Sequence, residues 1–316
     1  MSRRQRARYQ TSAREQLRVT SKTYGPLLDA LRGVRWPARR AVGAALPGAH
    51  RSSQRGTSGE FTEYRLYRQG DDPKQLDWKL LARSDRAFVR LTDDRARLPT
   101  WFVVDASESM NFPRDVHARL VQSKWTLACE LAVGLAAVAH ASADPVGLLA
   151  LGHDGAMRMT ARTRQGTVGE FARTLDRIRV GGNGGLAPLI ASIPPLARIV
   201  IISDLLGDGE ALLRVAAQRT VAAGIVECIH VVAVEELVLP AGSYLARDPD
   251  DPDIARPLDR KTQASYRERF DAFRSDAARR WRGAGAGYRE VRTDAVVAHA
   301  VRQVAIGAPD AIGTST

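Results

Sequence analysis

The stretch 101-WFVVDASESMNF-112 decides how the rest of the chain is read. Four apolar residues run into Asp-x-Ser-x-Ser, so a short buried strand ends in a turn that carries the oxygens of Asp105, Ser107 and Ser109. Such runs belong to strands covered on both faces. A second one follows at 197-ARIVIISDLL-206, where the apolar residues end in Ser203 and Asp204. Strands also fit 145-PVGLLALG-152, with 155-GAMRMTAR-162 as its hairpin partner, 225-IVECIHVVAV-234 and 288-YREVRTD-294.

Helices are expected between the strands. The longest runs from about Val116 to Ala143, with Leu127, Leu131, Leu135 and Val138 on its apolar stripe. Others fit residues 165–178, 210–223, 262–282 and 295–304. This alternation predicts an α/β fold: a doubly wound, mostly parallel sheet over residues 99–305. A small β-rich subdomain is expected upstream, over residues 47–98. Residues 247–260, acidic and rich in proline, read as a surface loop, and residues 306–316 as a mobile tail.

Of the net charge of +12, residues 1–55 supply nearly all, with 13 Lys/Arg against two acids. The protein is therefore a near-neutral body behind a basic leader, residues 1–46, expected to be partly disordered or helical. Such a leader can reach nucleic acid or anionic lipid, or be a solvated arm. Its lack of a recognisable nucleic-acid module favours the arm. No apolar run has the length and purity of a membrane span, and the N-terminus lacks the apolar core of a secretory signal. Cys129 and Cys228 lie among apolar residues without partners at metal spacing, as free thiols do in a reducing cytoplasm.

In an open parallel sheet, ligands bind outside the carboxyl ends of the strands. If the strands ending in Asp105 and Asp204 are neighbours, two carboxylates share one crevice with Ser107 and Ser109. Two such carboxylates repel unless one is protonated or a cation lies between them. Oxygen donors suit Mg²⁺, Mn²⁺ or Ca²⁺. An Asp followed by serines also makes a capped turn, so the motif alone has two readings.

Taken together, the apolar strand, Asp-x-Ser-x-Ser and the later Asp204 resemble a von Willebrand factor A domain and its metal-ion-dependent adhesion site. Upstream, 59-GEFTEYRLYRQGDDPKQLDWKLLARSDRAFVRLTDD-94 resembles the signature of the DUF58 family, whose Gly-Glu-Phe, Gly-Asp-Asp and Asp-Trp blocks precede such a domain. The likeness covers roughly residues 47 to 305. It implies that Asp105, Ser107, Ser109 and Asp204 hold Mg²⁺ directly or through water. The adhesion site adds a threonine from a glycine-containing loop; here that loop is 181-GGNGGLAPL-189. The matching position is Gly184 or Asn183. Asn183 has a side-chain oxygen to offer and glycine has none, so a weak site is implied.

The resemblance also implies a protein-interaction module rather than an enzyme, an adaptor or co-chaperone working with a MoxR-type AAA+ ATPase. The residues agree to the extent that there is no Gly-x-Ser-x-Gly elbow, no phosphate-binding loop and no paired histidine spacing. The alternative is a Mg²⁺-assisted phosphatase or nuclease, with Asp105 and Asp204 holding the ion and an upstream carboxylate as base. Asp71, Asp72 and Asp77 are the candidates for that base, although turn chemistry and ion pairing are the favoured explanation of them. Trp78 is expected as a core or interdomain anchor.

Overall fold

A computed structural model describes residues 24–36, 60–68, 76–84, 86–93, 97–113, 122–182, 184–239, 244–247 and 255–307. The chain divides into two compact units: Gly43–Arg97, and a larger one from Met1–Val42 together with Leu98–Thr316.

The smaller unit holds β1 (Glu60–Leu66) and β2 (Phe88–Asp93), an antiparallel pair with a register shift between Phe61 and Glu63. Between them lies α2 (Trp78–Ser84). Asp77 starts that helix, its Oδ1 accepting the amides of Lys79 and Leu80, both at 3.0 Å. It is thus an N-cap, which satisfies donors the first helical turn leaves open. Trp78 is 65% exposed, which corrects its expected place in a core. Asp71 and Asp72 lie outside the described residues.

Six strands make the sheet of the larger unit: β3 (Thr100–Asp105), β4 (Val146–Gly152), β5 (Gly155–Arg162), β6 (Arg198–Ser203), β7 (Ile225–Val232) and β10 (Gly287–Arg292). Their order across the sheet is β10-β7-β6-β3-β4-β5. All neighbours are parallel except the hairpin of β4 and β5. The fold is therefore the doubly wound, mostly parallel α/β sheet that the alternation predicts.

Helices cover both faces. On one lie α3 (Lys124–Ala141), α4 (Thr167–Leu175) and α9 (Val297–Ile306), whose core includes Phe102, Leu131, Phe171 and Val301. The other carries α5 (Ala187–Ile190), α6 (Gly209–Val221) and α8 (Arg260–Gly283), packed through Ile190, Leu212 and Trp281. Residues 244–247 and 255–258 pair as β8 and β9, so part of the expected surface loop is a short antiparallel ladder. A short helix, α7 (Val234–Leu237), follows β7 directly. Helix α3 begins later than its periodicity predicts. Ser123 is its N-cap and accepts the Thr126 amide, which places the first turn at Lys124.

The described part of the basic leader is not a solvated arm. Residues 24–30 are helical, α1, and Tyr24, Leu31 and Trp36 are buried in the core shared with α3 and α9. Gly134 of α3 makes this approach possible: a Cβ there would stand 2.9 Å from Val301 and 3.2 Å from Leu31. At its end, the Trp36 amide donates to Ser142 Oγ (2.9 Å), and the indole lies 4.3 Å from the buried guanidinium of Arg198. A desolvated cation over an indole face is among the stronger forms of this contact.

Candidate functional site

Strand β3 lies between β4 and β6, and the chain after it turns to one side before returning on the other. This is the switch point at which a doubly wound sheet opens a crevice at its carboxyl edge. Register places Val104 opposite Ile202, so both strands end at the same level and Asp105 meets Ser203. Ser203 Oγ donates to Asp105 Oδ2 at 2.7 Å, and the Ser107 amide donates to Asp105 Oδ1 at 2.9 Å. A 3-10 turn, Glu108–Asn111, carries Ser109 back toward Ser107, leaving their hydroxyl oxygens 3.1 Å apart.

Asp204 follows β6 and is buried, with Oδ1 accepting the Leu206 amide (3.2 Å). The next residue, Leu205, has φ of 60°, the left-handed conformation that turns the chain sharply here. Burial pushes the Asp105 carboxyl above its ordinary range, and the charge of Asp204 pushes it further, against the hydrogen bonds from Ser203 and Ser107. Asp105, Ser107, Ser109 and Asp204 are thus brought together at one point of the fold. Of the glycine loop, Asn183 lies outside the described residues. Its beginning is anchored beside the aspartate turn, the Gly181 amide donating to Ala106 O at 2.8 Å, and Gly184 packs against Leu151.

Two residues of the crevice were not foreseen. Lys124, the first residue of α3, is fully buried. Its Nζ donates to Asp204 Oδ2 at 2.7 Å and to Glu236 Oε1 at 2.8 Å. Glu236, on α7, is held in turn by the Ala233 amide on Oε2 (2.7 Å). Burial pulls the ammonium toward neutrality, but Asp204 and Glu236 outweigh it and carry its pKa above the ordinary lysine value. A signal was present in the sequence: Lys124 is one of five lysines among 47 basic residues, and it opens an apolar helix.

The donors fit a hard divalent ion. Adjacent corners of an octahedron with metal–oxygen bonds of 2.0–2.1 Å are about 2.9 Å apart, close to the separation of the two serine hydroxyls. The charges fit as well. The ammonium of Lys124 is shared by Asp204 and Glu236, and an added cation relieves the repulsion that Asp204 exerts on Asp105. Ser107 and Ser109 would be the direct ligands, with Asp105 and Asp204 beside them. Among the described residues no group of three or more His, Cys, Asp or Glu is placed to hold a metal ion, so the serine hydroxyls would have to complete any donor set here.

Farther along β7, His230 Nδ1 lies 2.7 Å from Tyr288 Oη. Burial lowers the imidazole pKa to about 4, so the ring is neutral at physiological pH. Cys129 and Cys228 are free and buried, and burial raises both thiols. Among the described residues, no helix is long and apolar enough to cross a membrane.

Comparison with known proteins agrees with the signature in residues 59–94. The chain is 30% identical over 280 residues to "Uncharacterized protein Rv1480" of Mycobacterium tuberculosis, covering 85% of each chain. "Uncharacterized protein Mb1516" of Mycobacterium bovis matches to the same extent. Among solved structures, BatB of Bacteroides thetaiotaomicron is similar over 66% of this chain and 97% of its own, at 17% identity and a TM-score of 0.42. The SpRpn10 VWA domain is similar over 65% and 94%, at 12% identity and a TM-score of 0.38. The profile of the family described as "Protein of unknown function DUF58" matches residues 63–280. The chain belongs to the DUF58 family.

Proposed function

We propose that the carboxyl edge of the sheet is a protein-recognition surface operating through a bound divalent cation, and that the protein serves as an adaptor or co-chaperone. The observation that carries this reading is the meeting of a buried carboxylate, Asp204, a half-buried one, Asp105, and two hydroxyls at the switch point of the sheet. An ion held there with an open position accepts an Asp or Glu carboxylate from a partner, as hard cations prefer oxygen ligands. The MoxR-type AAA+ ATPase is the partner class implied by the family resemblance, and no residue of the crevice selects it.

A hydrolase would need a base beside the ion. Of the carboxylates considered for that role, Asp77 is engaged in capping α2. That engagement removes Asp77 from the candidates, while Asp71 and Asp72 lie outside the described residues.

Affinity purification from the protein's own cells, in Mg²⁺ and in EDTA with Asp105→Ala alongside, tests the reading. The expected result is one AAA+ ATPase recovered in Mg²⁺ and lost in both other conditions. Recovery of that partner under all three conditions would retire the cation. Phosphatase or nuclease activity lost in Asp105→Ala, without a partner, would replace recognition by hydrolysis.

A further inference from the structure

Lys124 is joined to three parts of the fold at once. Its backbone opens α3, its ammonium lies on Asp204 after β6, and its second bond reaches Glu236 on the turn after β7. Asp204 is a member of the candidate cation site, while Glu236 is held in place by the Ala233 amide. The lysine side chain is 1% exposed and the aspartate 2%, so water does little to screen their attraction. A charge in such a place must be matched within the fold. Without Lys124, the carboxylates of Asp204 and Glu236 would lose the positive charge between them, and Asp204 would still act on Asp105.

We propose that Lys124 is a positioning residue that sets the strength of cation binding. It holds Asp204 in place, and it weakens the field of the crevice enough for the fold to persist while a divalent ion comes and goes. The proposal rests on the cation reading above and adds to it a residue that acts through Asp204 rather than touching the ion. Glu236 acts in the opposite sense: it shares the ammonium with Asp204 and adds negative charge to the crevice.

The test is a Mn²⁺ titration of the full chain, followed by the paramagnetic resonance signal of free Mn²⁺. Because a unit charge a few ångströms from a buried ion acts strongly, Lys124→Met is expected to tighten binding at least about tenfold. Lys124→Arg keeps the charge and should leave the affinity near that of the wild type. Glu236→Gln, which leaves the lysine in place, should weaken binding. Wild-type binding with no tightening in Lys124→Met would overturn the proposal and leave the cation reading standing. Absence of Mn²⁺ binding in all four proteins would overturn both. If Lys124→Met does not fold, Glu236→Gln decides: unchanged or tighter binding there overturns the proposal.

Discussion

The two edges of the sheet each bury a cation, and they use it differently. At the amino edge, Arg198 is 1% exposed, 3.4 Å from Asp144, with Trp36 of the leader over its guanidinium. Asp144 also accepts the Leu98 amide (3.0 Å), and Glu227 feels both Arg198 and Arg289. Positive and negative groups balance there, and the leader closes over them. At the carboxyl edge, Lys124 is equally buried but bonds two carboxylates, Asp204 and Glu236, and Asp204 in turn acts on Asp105. Negative charge is in excess, and two serine hydroxyls stand beside it. A balanced buried charge fastens a fold, whereas an unbalanced one is a seat for something that arrives.

Removing the amino-edge cation should have the largest effect on stability. Arg198→Met leaves Asp144 buried without its partner and takes the cation from Trp36. The expected loss is about 3–5 kcal/mol in urea denaturation, the usual cost of breaking a buried pair from one side. Mn²⁺ binding, in whatever fraction remains folded, should not change. A loss of ion affinity would show that the two edges are not independent.

An acid titration comes next. His230 has a folded pKa of about 4, caused first by burial, against an ordinary value of 6.5. A depressed histidine pKa stabilises the folded state fully above pH 6.5, and this is lost as the pH falls toward 4. The sign follows because the unfolded chain binds the proton first. At roughly 1.4 kcal/mol per unit, the contribution is up to about 3 kcal/mol. His230→Gln should flatten the fall in the urea midpoint between pH 7 and pH 4.5. An unchanged slope would assign the acid sensitivity to other groups.

The smallest effect is also the most pointed. The Asp105 carboxyl is held above its ordinary range, so its ionised form costs the folded state at neutral pH, and that cost declines as the pH falls below the folded pKa and is gone at the ordinary carboxylate value. Asp105→Asn removes the charge and keeps an acceptor for the Ser107 amide. In EDTA the variant should be more stable than the wild type, with a higher melting temperature. Destabilisation by Asp105→Asn in EDTA would mean that the carboxylate is structural.

Much of the fold was legible because buried parallel strands announce themselves. The runs at 101–105 and 198–203 have no other comfortable place than a sheet covered on both faces. Asp105 and Asp204 could be paired in advance because strand ends converge in this architecture. Three things were less legible. The start of α3 depends on the Ser123 cap, which competes with the periodicity running before it. The leader looks like a solvated arm by charge, yet Tyr24, Leu31 and Trp36 are spaced to meet α3, α9 and Arg198, contacts known only once those elements are assembled. Lys124 and Glu236 lie 112 residues apart, and no local pattern links them.

The function of the carboxyl edge turns on whether it takes a divalent cation. The most direct measurement is equilibrium binding of Mn²⁺ to the full-length protein, read from the loss of the free-ion resonance signal, with Asp105→Ala beside it. The account predicts one ion per chain for the wild type, displaced by Mg²⁺, and none for the variant. Equal signals in both proteins, with no ion taken up, would contradict it and leave the crevice as a self-contained network around Lys124.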